Sequence, residues 1–429
     1  MTVGTQWRWE YWLRQSLDPP WESDFGRWAI LKIQELERVL TQNILGFWLP
    51  RCLDLVHAGY AIHFDRYGNP SGHTSKGIVT QARMLWLFSA SFTNGYGGSE
   101  LLQAADLGYR FLREHMWDRK HGGFYWEVDA LGDAVFRADK HLYGQAFALF
   151  ALSSYGLASG NKDALAFACE LVDLLEQRAH DNQYGGYREF FRPDWTIASA
   201  SEVGYLGLPA DLKLMNTHLH LLEAYTLFFR ATGLPLARQR ILNLIHILSQ
   251  SVVRGEFGTC TDLHRADWQP LLSGNFGRTS YGHVLENISL LIDSSETIGL
   301  SNSHIIETHK ILFNYCLKYG YDRSHGGFYE SGSLGKPADN LNKTWWVQAE
   351  ALWSALQMYR VTRDFAYLGI FSQTWEFVNR RQIDWRYGEW YEQVTRWRIV
   401  KGDKGHIWKA GYHQGRAMIE CLRILHECA

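Results

Sequence analysis

Apolar residues recur every three or four positions in twelve stretches of the chain, and this period predicts twelve α-helices. The predicted helices cover residues 24–47, 76–95, 99–116, 138–158, 160–178, 212–232, 235–253, 281–298, 302–319, 342–361, 363–381 and 409–428. The stretch 138–158 is apolar on nearly every side, as a buried helix is, whereas 99–116 and 302–319 carry charged faces. Inner helices are therefore expected to alternate with helices of an outer layer.

A second pattern lies between the helices, where a glycine is followed by aromatic residues. It is clearest in DRKHGGFYW from Asp118, DNQYGGYRE from Asp181, DRSHGGFYE from Asp322 and DWRYGEWYE from Asp384. With two weaker copies, the marker glycines are Gly59, Gly123, Gly186, Gly258, Gly327 and Gly388. This near-constant period indicates a repeat architecture, and each marker predicts a turn leading into a short strand or hairpin.

The repeat predicts the fold class. Six inner and six outer helices, with short hairpins in the connecting loops, make an all-α (α/α)6 barrel in which residues 1–429 form one catalytic domain. The alternative is an open solenoid, but neither end of the sequence shows the polar capping repeat that a solenoid needs.

Each predicted inner helix carries an unusual polar or aromatic residue at a similar distance after its marker glycine. These residues are Arg83, Tyr143, His220, His283, Trp346 and His413. Similar offsets in a closed ring converge on one place, so we predict a central pocket lined by these side chains.

The predicted helix at 212–232 carries polar groups within an apolar run. Asn216, His220 and Glu223 share one face at helical spacing, whereas His218 lies on a different side. Two imidazoles so placed cannot bind one metal ion, and we predict no metal site. A histidine in such a helix is often a hydrogen-bonded core residue, but three buried polar groups on one face favour a functional site.

Two further histidines suggest proton transfer. His283 and His413 titrate near neutral pH, so each could exchange a proton with a substrate carbon across the pocket. Arg83 could hold the charge that develops on oxygen, and Glu286, one helical turn from His283, could orient its imidazole. The alternative is ordinary pairing of side chains on a helix face.

Trp345 and Trp346 have two interpretations. Tryptophans at such positions usually belong to the core, but at the mouth of a barrel they could stack on sugar rings.

Composition excludes several partners. The net charge is −2 without a run of Lys or Arg, which argues against nucleic acid and anionic membranes. Residues 1–21 lack the apolar core of a signal peptide, and the six cysteines form no CxxC pair. We therefore expect a cytoplasmic protein with reduced thiols that acts on a small molecule as a monomer or homodimer.

Six ordered motifs carry a resemblance to a known family. They are QARMLW at 81–86, YGQAF at 143–147, MNTHLH at 215–220, GHVLE at 282–286, TWW at 344–346 with Glu350, and WKAGYHQGR at 408–416. From about Phe47 to its C-terminus the chain resembles the N-acylglucosamine 2-epimerase superfamily, most closely its cellobiose and mannose 2-epimerase branch. The resemblance implies an (α/α)6 barrel that epimerises an aldose at C2 without metal or cofactor.

The resemblance also implies roles for individual residues. His283 and His413 would be the paired acid/base histidines, and Arg83, Asn216 and His220 would surround the substrate oxygens. The predicted catalytic residues are therefore His283, His413, His220 and Arg83. The predicted substrate-binding residues are Asn216, Tyr143, Glu286, Trp345, Trp346, Glu350, Trp408 and Arg416.

The chain departs from the cellobiose epimerases at four positions. Gln414 stands in place of Asn, Gly411 in place of Pro, and Val284 and Leu285 in place of Asp and Ile. These departures leave the substrate open among mannose, glucose and a glucose-ended disaccharide such as cellobiose.

Other activities remain as alternatives. An N-acylglucosamine 2-epimerase or an aldose–ketose isomerase of the same superfamily would use a related site. A glycoside hydrolase would need two carboxyls flanking the scissile bond, for which Glu286 and Glu350 are the candidates. A non-catalytic sugar-binding barrel would need the tryptophans but not both histidines. For an epimerase, we expect activity near or above neutral pH, where a histidine is unprotonated.

Overall fold

The computed structural model describes residues 24–72, 75–301 and 303–428, and the expectation for residues 1–21 lies outside this part of the chain. The chain is mostly helical, as predicted. The helices are α1 Phe25–Arg38, α2 Gly46–Cys52, α3 Ile78–Thr93, α4 Ser99–Phe111, α5 Leu142–Ser159, α6 Lys162–Arg178, α7 Met215–Thr232, α8 Pro235–His246, α9 Tyr281–Thr297, α10 Ser303–Tyr319, α11 Trp345–Thr362, α12 Phe365–Phe377 and α13 Tyr412–Cys428. Wider π-helical turns extend four outer helices, at Val39–Leu45, Leu112–Met116, Ile247–Ser251 and Val378–Gln382, and a short 3₁₀ turn covers Gly274–Phe276.

Short antiparallel strands lie between the helices. They are β1 Lys76–Gly77, β2 Glu127–Val128, β3 Val135–Arg137, β4 Lys140–His141, β5 Phe190–Phe191, β6 Lys213–Leu214, β7 Val253–Arg254, β8 Thr259–Cys260, β9 Leu263–His264, β10 Arg278–Ser280, β11 Ser331–Ser333, β12 Lys343–Thr344, β13 Gln393–Val394 and β14 Val400–Lys401. The sheets they form are β1–β2–β3, β4–β5, β6–β9, β7–β8, β10–β11 and β12–β13–β14.

Helices α3, α5, α7, α9, α11 and α13 form the inner layer. Each contacts the next in this order, and α13 returns to contact α3. The sequence explains this position, since α5 is apolar nearly all round and its residues from 142 to 156 are all buried. Within the described residues, no helix is both long enough and apolar enough to cross a membrane.

The strands fix where the inner helices begin. A strand that directly precedes an inner helix pairs with a strand that follows the glycine-aromatic turn of the next repeat, as β4 pairs with β5. A bridge between Phe64 and Gly405 makes the same connection between the last repeat and the first. Several inner helices were predicted to start about three residues early, because these residues pair as strands: α5 begins at Leu142 rather than at 138.

Buried ion pairs anchor these strands to the turns. In five repeats a lysine that precedes an inner helix, by two residues in four of them and by eight in the fifth, bonds an aspartate of a glycine turn at N–O distances of 2.7 to 2.9 Å. The pairs are Lys76–Asp54, Lys140–Asp118, Lys213–Asp181, Lys343–Asp322 and Lys404–Asp384. In the four repeats with the lysine two residues before the helix, the strand that leads into the helix is therefore held by charge as well as by strand pairing.

His218 is part of the same scaffold. Its Nε2 accepts a hydrogen bond from the Tyr187 backbone N–H at 3.0 Å, and its Nδ1 lies 2.7 Å from the Leu214 carbonyl oxygen. In three other repeats a glutamine makes the corresponding contact, as Gln145 does with both backbone groups of Phe124. The core interpretation is therefore correct for His218.

Candidate active site

The six residues singled out by the repeat lie near the N-terminal ends of the inner helices, in two groups. In the first group, Arg83 donates to the Tyr143 hydroxyl at 3.0 Å, and the rings of Tyr143 and His220 are 5.1 Å apart. In the second, the ring of Trp346 lies 4.9 Å from that of His283 and 5.7 Å from that of His413.

Tyr412 joins the two groups. Its ring is 6.1 Å from His220 and 4.7 Å from His413, and the Arg83 guanidinium lies 4.9 Å from its centre. The six side chains therefore surround one site, at the end of the inner layer where the strands lie.

His413 is held by a carboxyl from the neighbouring helix α11. Its Nδ1 lies 2.7 Å from Glu350 Oε1, which also accepts from Arg416 Nη2 at 2.8 Å. Burial raises the pKa of Glu350 and the charge of Arg416 opposes this rise. Because Oε1 already accepts from the guanidinium, we take it as the unprotonated oxygen, so His413 Nδ1 carries the hydrogen and Nε2 keeps its lone pair. Burial, reinforced by the charges of Arg83 and Arg416, lowers the pKa of His413 well below its usual range. A neutral His413 is thus able to act as a base.

Arg416 lies at the centre of three buried carboxyls. Its Nη1 bonds Glu223 Oε1 at 2.5 Å, and its Nη2 bonds Glu286 Oε1 at 2.5 Å and Glu350 Oε1 at 2.8 Å. Helical spacing alone would also allow contacts of Arg416 with His413 or Glu420 on its own helix. These are replaced because three desolvated carboxyls attract the same cation more strongly than one half-buried carboxyl does.

Glu223 connects Arg416 to His220. Its Oε2 accepts from the Tyr412 hydroxyl and lies 3.2 Å from His220 Nδ1. Burial by itself would raise the pKa of Glu223, but Arg416 and the hydrogen bond from His220 lower it to about 2. An ionised Glu223 makes His220 Nδ1 the donor and leaves His220 Nε2 as an acceptor. Burial also lowers the pKa of His220.

Arg83 is fixed from several sides. Besides Tyr143, it donates to the Trp408 carbonyl oxygen at 2.7 Å, and its guanidinium lies 4.4 Å from the ring centre of Phe147. Its Nε is buried and has no hydrogen-bond partner within the described chain. Arg83 is therefore a rigid cation with donors to spare, as stabilisation of a developing oxyanion requires.

Asn216 lies beside this cation. Burial raises the pKa of the Tyr143 hydroxyl, and Arg83 and the Asn216 side chain act against this rise; Asn216 Oδ1 is buried without a partner within the described chain. Asn216 thus adds an amide to the polar groups around Arg83.

The prediction that Glu286 orients His283 is wrong. Glu286 Oε1 bonds Arg416, while His283 Nδ1 is buried without a hydrogen-bond partner in the described part of the chain. The carboxyl turns to the guanidinium because an ionised donor makes the stronger hydrogen bond. Contact with Trp346 positions the His283 ring instead.

The other tryptophans differ in exposure. Trp345 is buried, 6.4 Å from the ring of His413, whereas Trp346 and Trp408 are partly exposed. Trp408 contacts the ring of Tyr143 at 6.4 Å. Trp346 and Trp408 are therefore the ones whose faces can meet a ligand.

A metal could in principle use Glu286, Glu350 and His413, whose ligand atoms lie within 4.8 Å of one another. The guanidinium of Arg416 already bonds both carboxyls, however, and supplies the positive charge that an ion would bring. A metal ion would have to compete with a fixed cation.

The same geometry disfavours the glycosidase alternative. Glu286 and Glu350, the candidate carboxyls, share the single Nη2 atom of Arg416. That nitrogen occupies the space in which a glycosidic bond would have to lie.

Sequence reasoning missed two contributors to the site. Tyr412 was passed over because tyrosine beside a histidine carries no distinctive signal. Glu223 was noted on the face of His220 but not assigned to the site, although its spacing of three residues from His220 was a usable signal. Both side chains bond Arg416.

Comparison with known proteins is consistent with this site. The family model described as N-acylglucosamine 2-epimerase matches residues 59–414. The chain belongs to the N-acylglucosamine 2-epimerase family and is an enzyme of the carbohydrate epimerase and isomerase class.

Individual relatives cover nearly the whole chain. A cellobiose 2-epimerase from Dictyoglomus turgidum is 30% identical over 400 residues, which is 92% of this chain and 98% of the relative. A D-mannose isomerase from Marinomonas mediterranea is 25% identical over 399 residues, covering 90% and 95%. The solved cellobiose 2-epimerase from Spirochaeta thermophila superposes with a TM-score of 0.84 at 33% identity, covering 94% of this chain and 99% of that one.

Proposed function

We propose that the protein epimerises an aldose at C2 by removing and returning the C2 proton through an enediolate. The observation that carries this proposal is the pair of imidazoles, His283 and His413, packed against the same Trp346 ring. Two separate bases beside one bound sugar can serve its two faces, and inversion at carbon needs both.

Proton removal begins with the open-chain sugar, whose aldehyde makes the C2 proton acidic. His413 keeps an unprotonated Nε2 because Nδ1 donates to Glu350 and burial lowers the imidazole pKa. In one direction His413 takes the C2 proton, and His283 returns a proton to the other face. In the opposite direction the two imidazoles exchange roles.

Charge on the enediolate oxygen needs fixed donors nearby. Arg83 is buried and held by Tyr143 and Trp408, so it loses little freedom when an oxyanion forms. His220 and Asn216 lie around Tyr143 and extend this polar wall. Preorganised donors of this kind typically lower a barrier by about 3–4 kcal/mol each.

The scaffold of this site is proposed to be a closed (α/α)6 barrel. Support comes from the cyclic order of contacts among the six inner helices and from the bridge between Phe64 and Gly405. Closure matters for the chemistry because it brings His413, on the last helix, beside residues of the first.

Two products would distinguish members of the family. Return of the proton to C2 gives the epimer, whereas its delivery to C1 by a single base gives a ketose. The relatives named as cellobiose 2-epimerase and as D-mannose isomerase make both outcomes chemically reasonable. We favour the epimer, because the second imidazole, that of His283, lies beside Trp346 and could return a proton to C2.

The test is to incubate the protein separately with mannose, glucose, cellobiose and N-acetylglucosamine and to separate the products by chromatography. A C2 epimer from at least one sugar supports the proposal. A ketose as the sole product would assign an aldose–ketose isomerase, and new reducing ends from cellobiose would assign a hydrolase. Conversion of N-acetylglucosamine alone would move the substrate to the N-acylated sugars.

A further inference from the structure

Two tryptophans fill equivalent places in two repeats, each against a glycine turn, and a third repeat has an arginine at the same position. Trp195 and Trp268 lie in the turns of short hairpins with φ of 67° and 66°, and both cover the glycine turn of the preceding repeat. The indole N–H of Trp195 donates to the Gly122 carbonyl oxygen at 3.1 Å, and that of Trp268 to the Gly185 carbonyl oxygen at 3.2 Å.

Arg398 occupies the equivalent position in the hairpin between β13 and β14. Its φ is 61°, and its backbone N–H donates to the Thr395 carbonyl oxygen at 2.8 Å, as that of Trp268 does to Arg265 at 3.0 Å. The turn it should cover contains Gly326 and Gly327. A Cβ at Gly327 would meet Gln348 Oε1 and the ring of Phe377, and one at Gly326 would meet the Gln373 backbone; the Arg398 side chain is not among these nearest neighbours.

A cavity of about 620 Å³ lies at this place. Gly326 and Lys343 form part of its wall, next to the hairpin. Its cationic side chains are Arg323, Lys343, Arg380, Arg381, Arg396 and Arg398, its carboxylates are Asp322 and Glu376, and His325 also lines it. Six cations against two carboxylates make the cavity strongly positive in a chain whose net charge is −2.

Pairing inside the cavity involves Lys343 and Arg380, so Arg381 and Arg398 are the side chains that could meet a ligand. Asp322 bonds Lys343 at 2.8 Å, and Glu376 bonds Arg380 at 3.0 Å. Arg381 and Arg398 are exposed at the rim. A guanidinium group can donate two parallel N–H bonds to two oxygens of one phosphate. Several arginines around one cavity therefore suit a ligand that carries more than one phosphate group.

We propose that this cavity binds a polyanion carrying two or more phosphate groups. The site is distinct from the candidate active site and does not depend on the proposed function. Lys343 lies on the cavity wall, two residues before Trp345 of α11, so the same short strand β12 borders both regions.

The test is calorimetric titration of the full chain with inorganic tripolyphosphate and, separately, with a sugar bisphosphate at low salt. We expect saturable binding at one site that weakens as salt rises. The compound that binds more tightly distinguishes an inorganic from an organic source of the phosphate groups.

Two variants and a control make the test specific. Arg398→Trp should fill the space as Trp268 does, and the double variant Arg381→Gln/Arg398→Gln should remove charge without filling it. Each should weaken binding at least about tenfold, whereas Arg265→Gln, on the hairpin whose tryptophan is in place, should not. Thermal unfolding checks that each variant is folded. If Arg398→Trp does not fold, the affinity of the double variant decides the test. Absence of saturable binding of both compounds, or equal affinity in wild type and the folded variants, would overturn the proposal.

Discussion

His413 and Glu350 lie 63 residues apart in the sequence, yet the imidazole Nδ1 is 2.7 Å from the carboxyl Oε1. The carboxyl fixes the tautomer of His413 and leaves its Nε2 free, which is the state a base requires. Glu350 is therefore a positioning residue for His413 in the proposed reaction.

Replacing Glu350 by Gln tests this relationship. We expect kcat to fall by about 10²-fold while KM changes little, because the amide keeps the size of the side chain but weakens its hold on the imidazole. Steady-state kinetics gives both constants. Glu296→Gln, in a partly exposed pair with Arg360, is the matched control and should behave as wild type. Unchanged kcat in Glu350→Gln would remove Glu350 from the mechanism.

Arg416→Met should destabilise the fold strongly. The substitution leaves Glu223, Glu286 and Glu350 buried without their shared cation, and breaking such a pair typically costs about 3–5 kcal/mol. Urea unfolding measures the loss. Arg423→Met, which removes a half-exposed arginine of the same helix, should cost no more than about 1 kcal/mol. Equal stabilities of the two variants would show that Arg416 does not hold the cluster together.

Acid should destabilise the protein through Glu223. Its pKa is lowered from 4.5 to about 2 in the fold, so it contributes stability above about pH 4.5 that is lost as the pH falls towards 2. The shift corresponds to about 3 kcal/mol. Unfolding free energies measured from pH 5 to pH 2 should therefore fall more steeply for wild type than for Glu223→Gln. Parallel curves for the two proteins would contradict the assignment, and Glu427→Gln, at an exposed pair, serves as control.

Removal of metal ions should leave turnover unchanged. Arg416 bonds both carboxyls of the one cluster in the described residues with ligand-like spacing. Activity assayed after dialysis against a chelator measures this. A loss of turnover that a divalent ion restores would refute the prediction.

Much of the fold could be predicted from local patterns in the sequence. The period of the apolar residues located the helices, and the marker glycines located the turns, because Gly123 and its equivalents adopt positive φ values that other residues rarely reach. The start of α9 was predicted correctly at Tyr281, but the starts of several other inner helices were misplaced, because the residues before them read as helical while strand pairing between repeats decides their conformation.

The site residues could be predicted from the sequence only where their spacing along the chain places them, and not where contacts between helices decide their partners. The spacing after the marker glycines located Arg83, His220 and His413. The three carboxyls that bond Arg416 lie on three other helices, so no spacing within a single helix could predict these contacts. Helical spacing even suggested a wrong partner, since Glu286 lies one turn from His283 but bonds Arg416. Competition among buried charges is a property of the assembled fold.

The central claim is that His283 and His413 act on opposite faces of the sugar. The measurement is proton NMR of the C2 signal in deuterated water for wild type, His283→Ala and His413→Ala, with each epimer supplied in turn. We expect early deuterium at C2 of the wild-type product and no epimerisation by either variant. The histidine that remains in each variant can still exchange the C2 hydrogen of one epimer without inverting it. Wild-type epimerisation without solvent deuterium, or full activity in either variant, would contradict the two-base account.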